Sequence, residues 1–222
     1  MKRIFAVLIL LCSIFPYYAK AEELKLAESA QSAILIEAST GEVLFEKNAH
    51  EKKFPASMTK MMSMLIILES IDKGIIKWDE MVTVSANASS MGGSQILLET
   101  NEQMSVSDLF KGIAVASGND AVVALAEKIA GTEDMFVDMM NKRAQELGLT
   151  NTNFKNCHGL HDANHYSSAY DISIIARELV KHEKLFEYTS IYEDYLRQNT
   201  DRKIWLVNTN KVVYKFYNNR LL

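Results

Sequence analysis

The pattern of apolar and polar residues changes along the chain, and with it the secondary structure that it predicts. Residues 32–47 contain two short apolar runs separated by Ser39-Thr40-Gly41, which predicts an antiparallel hairpin. A long apolar segment at residues 58–71 follows Pro55 and ends at Lys73-Gly74. A proline before the first turn and a glycine after a basic last turn are typical of a helix.

Helical patterns dominate the middle of the chain. Four further helices are predicted at residues 109–116, 120–129, 133–147 and 172–182. Ser105 with Asp108, and Ser168 with Asp171, form N-terminal capping patterns ahead of the first and the last of these four.

The remaining segments predict a long loop and a second strand pair. Residues 150–168 are rich in Asn, His, Gly and Ser, and such long loops in compact domains are often functional. Residues 193–197 and 202–207 predict two short strands. Helices between strands at both ends predict an α/β (α+β) fold. Because two strands alone make a marginal sheet, we expect the sheet to be incomplete at the C-terminal side.

The first 21 residues predict an export signal. Lys2 and Arg3 precede a mostly apolar run at residues 4–15, and Ala19-Lys20-Ala21 supplies the small residues of a cleavage site. The alternative, a membrane anchor, is disfavoured because twelve residues are too few for a bilayer core that needs about 20. We therefore expect residues 1–21 to be removed and residues 22–222 to form an exported domain without a membrane anchor after cleavage.

Charge and cysteine content narrow the class of protein further. Loss of residues 1–21 removes three basic residues and shifts the net charge from −4 to about −7. An acidic chain without a basic stripe argues against nucleic acid as a partner. Cys157 is the only cysteine in residues 22–222, so no disulfide is expected within that domain, and no pattern supports it as a nucleophile.

Two short motifs could carry chemistry, and the first is Ser57-Met58-Thr59-Lys60. Ser57 lies where the predicted helix opens, and Lys60 shares its face, so a neutral lysine could take the seryl proton. The same S-x-x-K spacing recurs at Ser70 and Lys73, but at the end of the helix. The alternative for Ser57 is a helix N-cap with a solvated lysine, and these residues alone leave both interpretations open.

The second motif is Ser117-Gly118-Asn119, a polar group between two apolar helical segments. Polar side chains in such a bend need hydrogen-bond partners, since unpaired buried polar groups are costly. The alternative is an ordinary helix–helix turn in which Asn119 caps the next helix.

Together the two motifs resemble the penicillin-interacting serine D-alanyl-D-alanine carboxypeptidases, whose signature includes S-x-x-K and a second serine–asparagine motif. The Ser-Gly-Asn form resembles the low-molecular-weight carboxypeptidases more than the class A β-lactamases, which are a third interpretation. The resemblance extends from about residue 33 to residue 211. Other matching stretches are Thr40-Gly41-Glu42-Val43-Leu44, Gly92-Gly93-Ser94, Asn151-Thr152-Asn153-Phe154, His158-Gly159-Leu160, His165-Tyr166-Ser167-Ser168-Ala169 and Asn208-Thr209-Asn210-Lys211.

The resemblance implies a penicillin-recognising, β-lactamase-like fold with a helical lobe against an antiparallel sheet. It also implies that Ser57 is the acylated nucleophile, Lys60 its base, Ser117 a proton relay and Asn119 a substrate-binding residue. The implied substrate is the D-Ala-D-Ala end of peptidoglycan stem peptides, with β-lactam antibiotics as acylating inhibitors and an extracytoplasmic location. No metal or organic cofactor is implied.

The third family motif, Lys-Thr-Gly, does not occur in the sequence. In the family its lysine helps to bind the substrate carboxylate, and a nearby backbone N–H completes the oxyanion hole. Removing one oxyanion donor typically costs about 100- to 1000-fold in turnover. The alternative interpretation is therefore a truncated or frameshifted member, marginally folded and catalytically impaired, that acts at most as a peptidoglycan or penicillin binder.

Overall fold

The computed structural model describes residues 26–214. The predicted signal peptide at residues 1–21 lies outside the described residues, as does most of the C-terminal tail. The chain divides into two compact units, Met1–Ala30 and Gln31–Leu222, and every helix and strand below belongs to the second unit.

Seven α-helices lie wholly within the described residues. They are α1 (Thr59–Asp72), α2 (Ala86–Ser89), α3 (Val106–Ala116), α4 (Asn119–Ala130), α5 (Glu133–Glu146), α6 (Ala169–Leu179) and α7 (Lys184–Thr189). A single 3-10 turn, Ala56–Met58, leads into α1. The five helices predicted from the sequence correspond to α1, α3, α4, α5 and α6, with ends that differ by at most three residues.

Within residues 26–214, six strands form three separate antiparallel pairs. They are β1 (Ala33–Ile36) with β2 (Val43–Lys47), β3 (Met81–Thr83) with β4 (Gln103–Ser105), and β5 (Glu193–Leu196) with β6 (Ile204–Val207). The first and third pairs confirm the predicted hairpins. In the third, Tyr195 lies opposite Trp205 and Leu196 opposite Ile204.

Side-chain caps fix where several helices begin. The Ser105 hydroxyl accepts a hydrogen bond from the Asp108 N–H, and the Ser168 hydroxyl accepts one from the Asp171 N–H, so both predicted capping patterns are confirmed. Thr132 caps α5 in the same way through the Met135 N–H. Each cap satisfies one of the backbone donors that the first turn of a helix leaves unpaired.

The core is built around α1 and α4. Residues 119–126 of α4 are all buried, and nine residues of α1 are buried on all sides of that helix. A helix that is apolar around its circumference must lie inside the protein, and α1 packs against α4, α5 and α6. Helices with small antiparallel sheets define the α/β (α+β) class that the sequence predicts. The fold thereby places the start of α1 and the α3–α4 turn close to one another.

Candidate active site

Ser57 lies in the 3-10 turn immediately before α1. The preceding Ala56 has a positive φ of 48°, a conformation that costs free energy for a residue with a Cβ and persists only when its surroundings impose it. Ser57 itself is exposed, and the residue that caps α1 is Met58, which makes no side-chain capping bond. The interpretation of Ser57 as the helix N-cap is therefore wrong.

Lys60 is buried in the first turn of α1. Only 3% of its surface is exposed, and its Nζ donates a hydrogen bond of 2.6 Å to the His158 carbonyl oxygen and lies 3.5 Å from Ser57 Oγ. Burial lowers the pKa of Lys60 from 10.5 to about 8, an effect only partly offset by Cys157 and Asp120. The interpretation of Lys60 as a solvated lysine is also wrong, and the geometry pairs it with Ser57.

The second S-x-x-K spacing has a different environment. The Ser70 hydroxyl is buried and donates 2.7 Å to the Ile66 carbonyl within α1. Lys73 is largely exposed and lies 3.7 Å from Glu69 in a surface ion pair. Ser70 and Lys73 therefore have ordinary structural roles.

The segment at residues 157–160 runs alongside the start of α1, and the two are joined mainly through backbone carbonyls. In addition to the Lys60 bond, Ser63 Oγ donates 2.6 Å to the Cys157 carbonyl. Gly159 has φ +91°, and a Cβ added there would overlap the Ala56 carbonyl oxygen and lie 3.1 Å from the Ser57 nitrogen. Only glycine fits this approach, so Gly159 allows the segment at residues 157–160 to meet the backbone at Ser57.

The first turn of α1 is held on its other side by His165. Its Nδ1 accepts a hydrogen bond from the Lys155 N–H, so Nε2 carries the proton and donates 2.7 Å to Thr59 Oγ1. Burial, followed by the nearby His158, lowers the pKa of His165 to about 4, which keeps the ring neutral at pH 7.

The second motif lies in the turn between α3 and α4. Ser117 ends α3 in the left-handed conformation, with φ 58° and ψ 34°, and is half-buried. Asn119 is buried, and its Nδ2 donates 2.6 Å to the Gly92 carbonyl while its backbone N–H donates 2.7 Å to the Ser94 carbonyl. Gly118 holds the N-cap position of α4, so the interpretation of Asn119 as the cap is wrong.

Asp120 holds the irregular segment at residues 94–98 beside Asn119. Its buried carboxylate accepts hydrogen bonds from the Ile96 and Leu98 N–H groups at 3.0–3.1 Å. Gly93 leaves room for the neighbouring side chains, because a Cβ there would lie 2.8 Å from Asn119 Nδ2 and 3.6 Å from Leu160 Cδ2. These distances place Gly93 beside both Asn119 and Leu160, the residue that follows Gly159.

Sequence reasoning identified Ser57, Lys60, Ser117 and Asn119, and the structure brings Ser57 and Lys60 within hydrogen-bond reach. Sequence reasoning did not identify the His158 carbonyl, Gly159 or Asp120 as parts of the site. The signal available for Asp120 was an acidic residue inside an otherwise apolar helix, since buried acids need donors nearby. Backbone carbonyls leave no signal of residue type.

The arrangement provides a hydroxyl beside a lysine that can lose its proton near neutral pH, which suits nucleophilic catalysis. Within residues 26–214, His, Cys, Asp and Glu do not form a group of three or more that could hold a metal ion. In the same described range, every helix is too short or too polar to cross a membrane.

Solved structures of similar fold define the class. Penicillin binding protein 5 from Haemophilus influenzae matches with a TM-score of 0.79 and 36% identity, covering 85% of this chain and 54% of that one. Penicillin binding protein 6B from Escherichia coli matches with a TM-score of 0.78 and 35% identity, covering 83% of this chain and 59% of that one. The fold is that of the penicillin-binding serine peptidases.

The family follows from sequence comparison. The family model of D-alanyl-D-alanine carboxypeptidases, peptidase S11, matches residues 19–221. The D-alanyl-D-alanine carboxypeptidase DacF of Bacillus subtilis is 58% identical over 193 residues, which is 87% of this chain and 49% of the relative. The chain belongs to this family, as its motifs predicted. It spans about half the length of the curated relatives it matches.

Proposed function

We propose that this chain carries the acylation centre of an exported serine-type D-Ala-D-Ala carboxypeptidase. The observation that supports the proposal most directly is the pairing of Ser57 Oγ with the buried Lys60 Nζ at 3.5 Å. A seryl hydroxyl is a weak nucleophile and needs an adjacent base. Burial prepares Lys60 for that role by lowering its pKa to about 8.

The proposed reaction begins when Ser57 Oγ attacks the carbonyl carbon of the peptide bond between the two D-alanines. Lys60 takes the hydroxyl proton, and the terminal D-alanine leaves with a proton that Ser117 relays to its nitrogen. The peptide stays bound to Ser57 as an ester until water hydrolyses it. Asn119 binds the peptide backbone beside the nucleophile.

The His158 carbonyl has a separate part in this proposal. It fixes Lys60 Nζ through a bond of 2.6 Å, so the amine has a defined position whether or not it carries a proton. Positioning of this kind matters because misplacement by about 1 Å can cost about 100-fold in rate. β-Lactam antibiotics are the acylating inhibitors expected of such a centre, and peptidoglycan stem peptides outside the cytoplasmic membrane are the expected substrate.

The test compares Ser57 with Ser70, the serine of the second S-x-x-K spacing. The chain is incubated with a fluorescent penicillin, and D-alanine release from a D-Ala-D-Ala peptide is followed separately. Ser57→Ala and Lys60→Ala should abolish labelling, whereas Ser70→Ala should label like the wild type. Peptide mapping that places the adduct on Ser70 would contradict the assignment, and labelling without D-alanine release would favour a penicillin binder over a carboxypeptidase.

A further inference from the structure

The hairpin of β5 and β6 contacts the segment at residues 94–98 through two arginines. Arg197 donates to the Ile96 carbonyl at 3.0 Å and to the Leu97 carbonyl at 3.2 Å. Arg202 donates 2.9 Å to the same Leu97 carbonyl. These bonds join residues about 100 positions apart in the chain.

Glu102 fixes the two arginines in place. Both of its carboxylate oxygens accept hydrogen bonds from Arg197, and Arg202 Nη1 donates to Oε2 at 3.1 Å. Although burial opposes the charged form, the Arg197 bonds prevail and lower the pKa of Glu102 to about 2. The fork of Arg197 therefore makes four contacts from a side chain that is only 8% exposed.

The segment at residues 94–98 is held from both sides. Asp120 binds the N–H groups of Ile96 and Leu98, whereas the arginines bind the carbonyls of Ile96 and Leu97. Leu97 has a positive φ of 55°, and such a conformation persists only where its surroundings impose it. The arginine bonds supply that constraint on the side away from α4.

The same segment contacts Asn119. The Ser94 carbonyl accepts the Asn119 N–H, and the Gly92 carbonyl just before it accepts the Asn119 side-chain amide. A displacement of residues 94–98 would therefore move the Asn119 backbone through the Ser94 bond, and with it the side chain that faces substrate under the proposed function. We infer that Arg197 is a positioning residue that holds Asn119 in its substrate-binding place through residues 94–98, an inference that rests on the proposed function.

The informative substitution is Arg197→Lys, which keeps the positive charge but loses the planar fork that contacts two carbonyls and a carboxylate together. Arg143→Lys is the matched control. Arg143 also pairs with a partly buried glutamate, with Nε 2.9 Å and Nη2 2.8 Å from Glu69 Oε1, but it joins α5 to α1. Lost packing alone should affect both variants alike.

Two readouts are measured on the full chain. In Arg197→Lys, amide hydrogen exchange should become about 10-fold faster at Ile96, Leu98 and Asn119 and stay unchanged in α5. For a D-Ala-D-Ala peptide, KM should rise about 10-fold with kcat within about 2-fold, because the Ser57 and Lys60 contacts are untouched. Arg143→Lys should change neither quantity.

Faster exchange at these three amides together with a higher KM, confined to Arg197→Lys, is the expected result. Unchanged exchange, or faster exchange with an unchanged KM, would overturn the positioning role while leaving the proposed function intact. Equal changes in both variants would also overturn it, because they would reflect general loosening. A wild-type chain that does not turn over the peptide would overturn the proposed function and this inference together.

Discussion

Gly159→Ala is expected to have a large effect on the backbone that holds Ser57, the proposed nucleophile. The added methyl group would overlap the Ala56 carbonyl oxygen and approach the Ser57 nitrogen to 3.1 Å. Both contacts are backbone, so the overlap cannot be relieved by a side-chain rotation. Either the turn that holds Ser57 or the segment that holds the His158 carbonyl must move.

The magnitude follows from two separate costs. Alanine at φ +91° carries conformational strain of about 1–3 kcal/mol, and overpacking against a fixed backbone adds about 1–3 kcal/mol. We therefore expect the free energy of unfolding to fall by about 2–6 kcal/mol. A shift on the order of 1 Å between Ser57 and Lys60 should slow acylation by about 100-fold.

Gly148→Ala is the matched control. Gly148 also has a positive φ, +71°, but a Cβ there meets no atom within 4 Å, so only the conformational strain of about 1–3 kcal/mol applies. Urea unfolding gives the stability of each variant, and the rate of labelling by a fluorescent penicillin on the folded protein gives the acylation rate. If Gly159→Ala labels as fast as Gly148→Ala, the close approach of Gly159 does not determine the position of Ser57. The predicted loss of acylation rate would then be wrong.

Three further predictions concern buried ionisable groups. The penicillin-labelling rate should rise with pH through about 8 and level off above it, because Lys60 accepts a proton only when neutral. A flat profile from pH 6.5 to pH 9 would contradict the proposed role of Lys60 as the base. Asp120→Ala should lower the free energy of unfolding by about 2–4 kcal/mol, because the buried N–H groups of Ile96 and Leu98 lose their acceptor. Asp138 is exposed, so Asp138→Ala should change the free energy of unfolding by no more than about 0.5 kcal/mol. Urea unfolding compares the two variants. Burial raises the pKa of the Cys157 thiol, so a thiol reagent should modify Cys157 only after unfolding. If the native chain is modified as fast as the unfolded chain, the segment at residues 157–160 opens in the folded protein and the prediction is wrong.

The helices could be predicted because their signals are local. The proline before α1, the glycines after α4 and α5, and the serine caps of α3 and α6 all lie within a few residues of the helix ends that they mark. Strands β3 and β4 were not predicted, since three residues are too few to establish an alternating pattern. Helices α2 and α7, with four and six residues, escaped prediction for the same reason.

The candidate site likewise contains contacts that local spacing predicts and contacts that it cannot predict. Ser57 in the 3-10 turn and Lys60 in the first turn of α1 are three residues apart, so spacing alone suggested that they meet. The partner that positions Lys60 is a backbone carbonyl 98 residues away, and Glu102 meets Arg197 across 95 residues. Such contacts depend on the packing of α1 and α3 against later segments, which local patterns do not encode. The roles of Ser57, Lys60, Ser117 and Asn119 stay predictions until the variants are measured.

The way α1 contacts residues 157–160 has a consequence for how this protein can diverge. Ser63 and Lys60 bind the carbonyls of Cys157 and His158, and a carbonyl is the same in every amino acid. The junction therefore places little demand on the identity of residue 157 beyond a small buried volume. Gly159 is different, because any side chain there meets the backbone before Ser57. Substitutions can therefore accumulate at position 157 without disturbing the backbone at Ser57, whereas position 159 tolerates almost none.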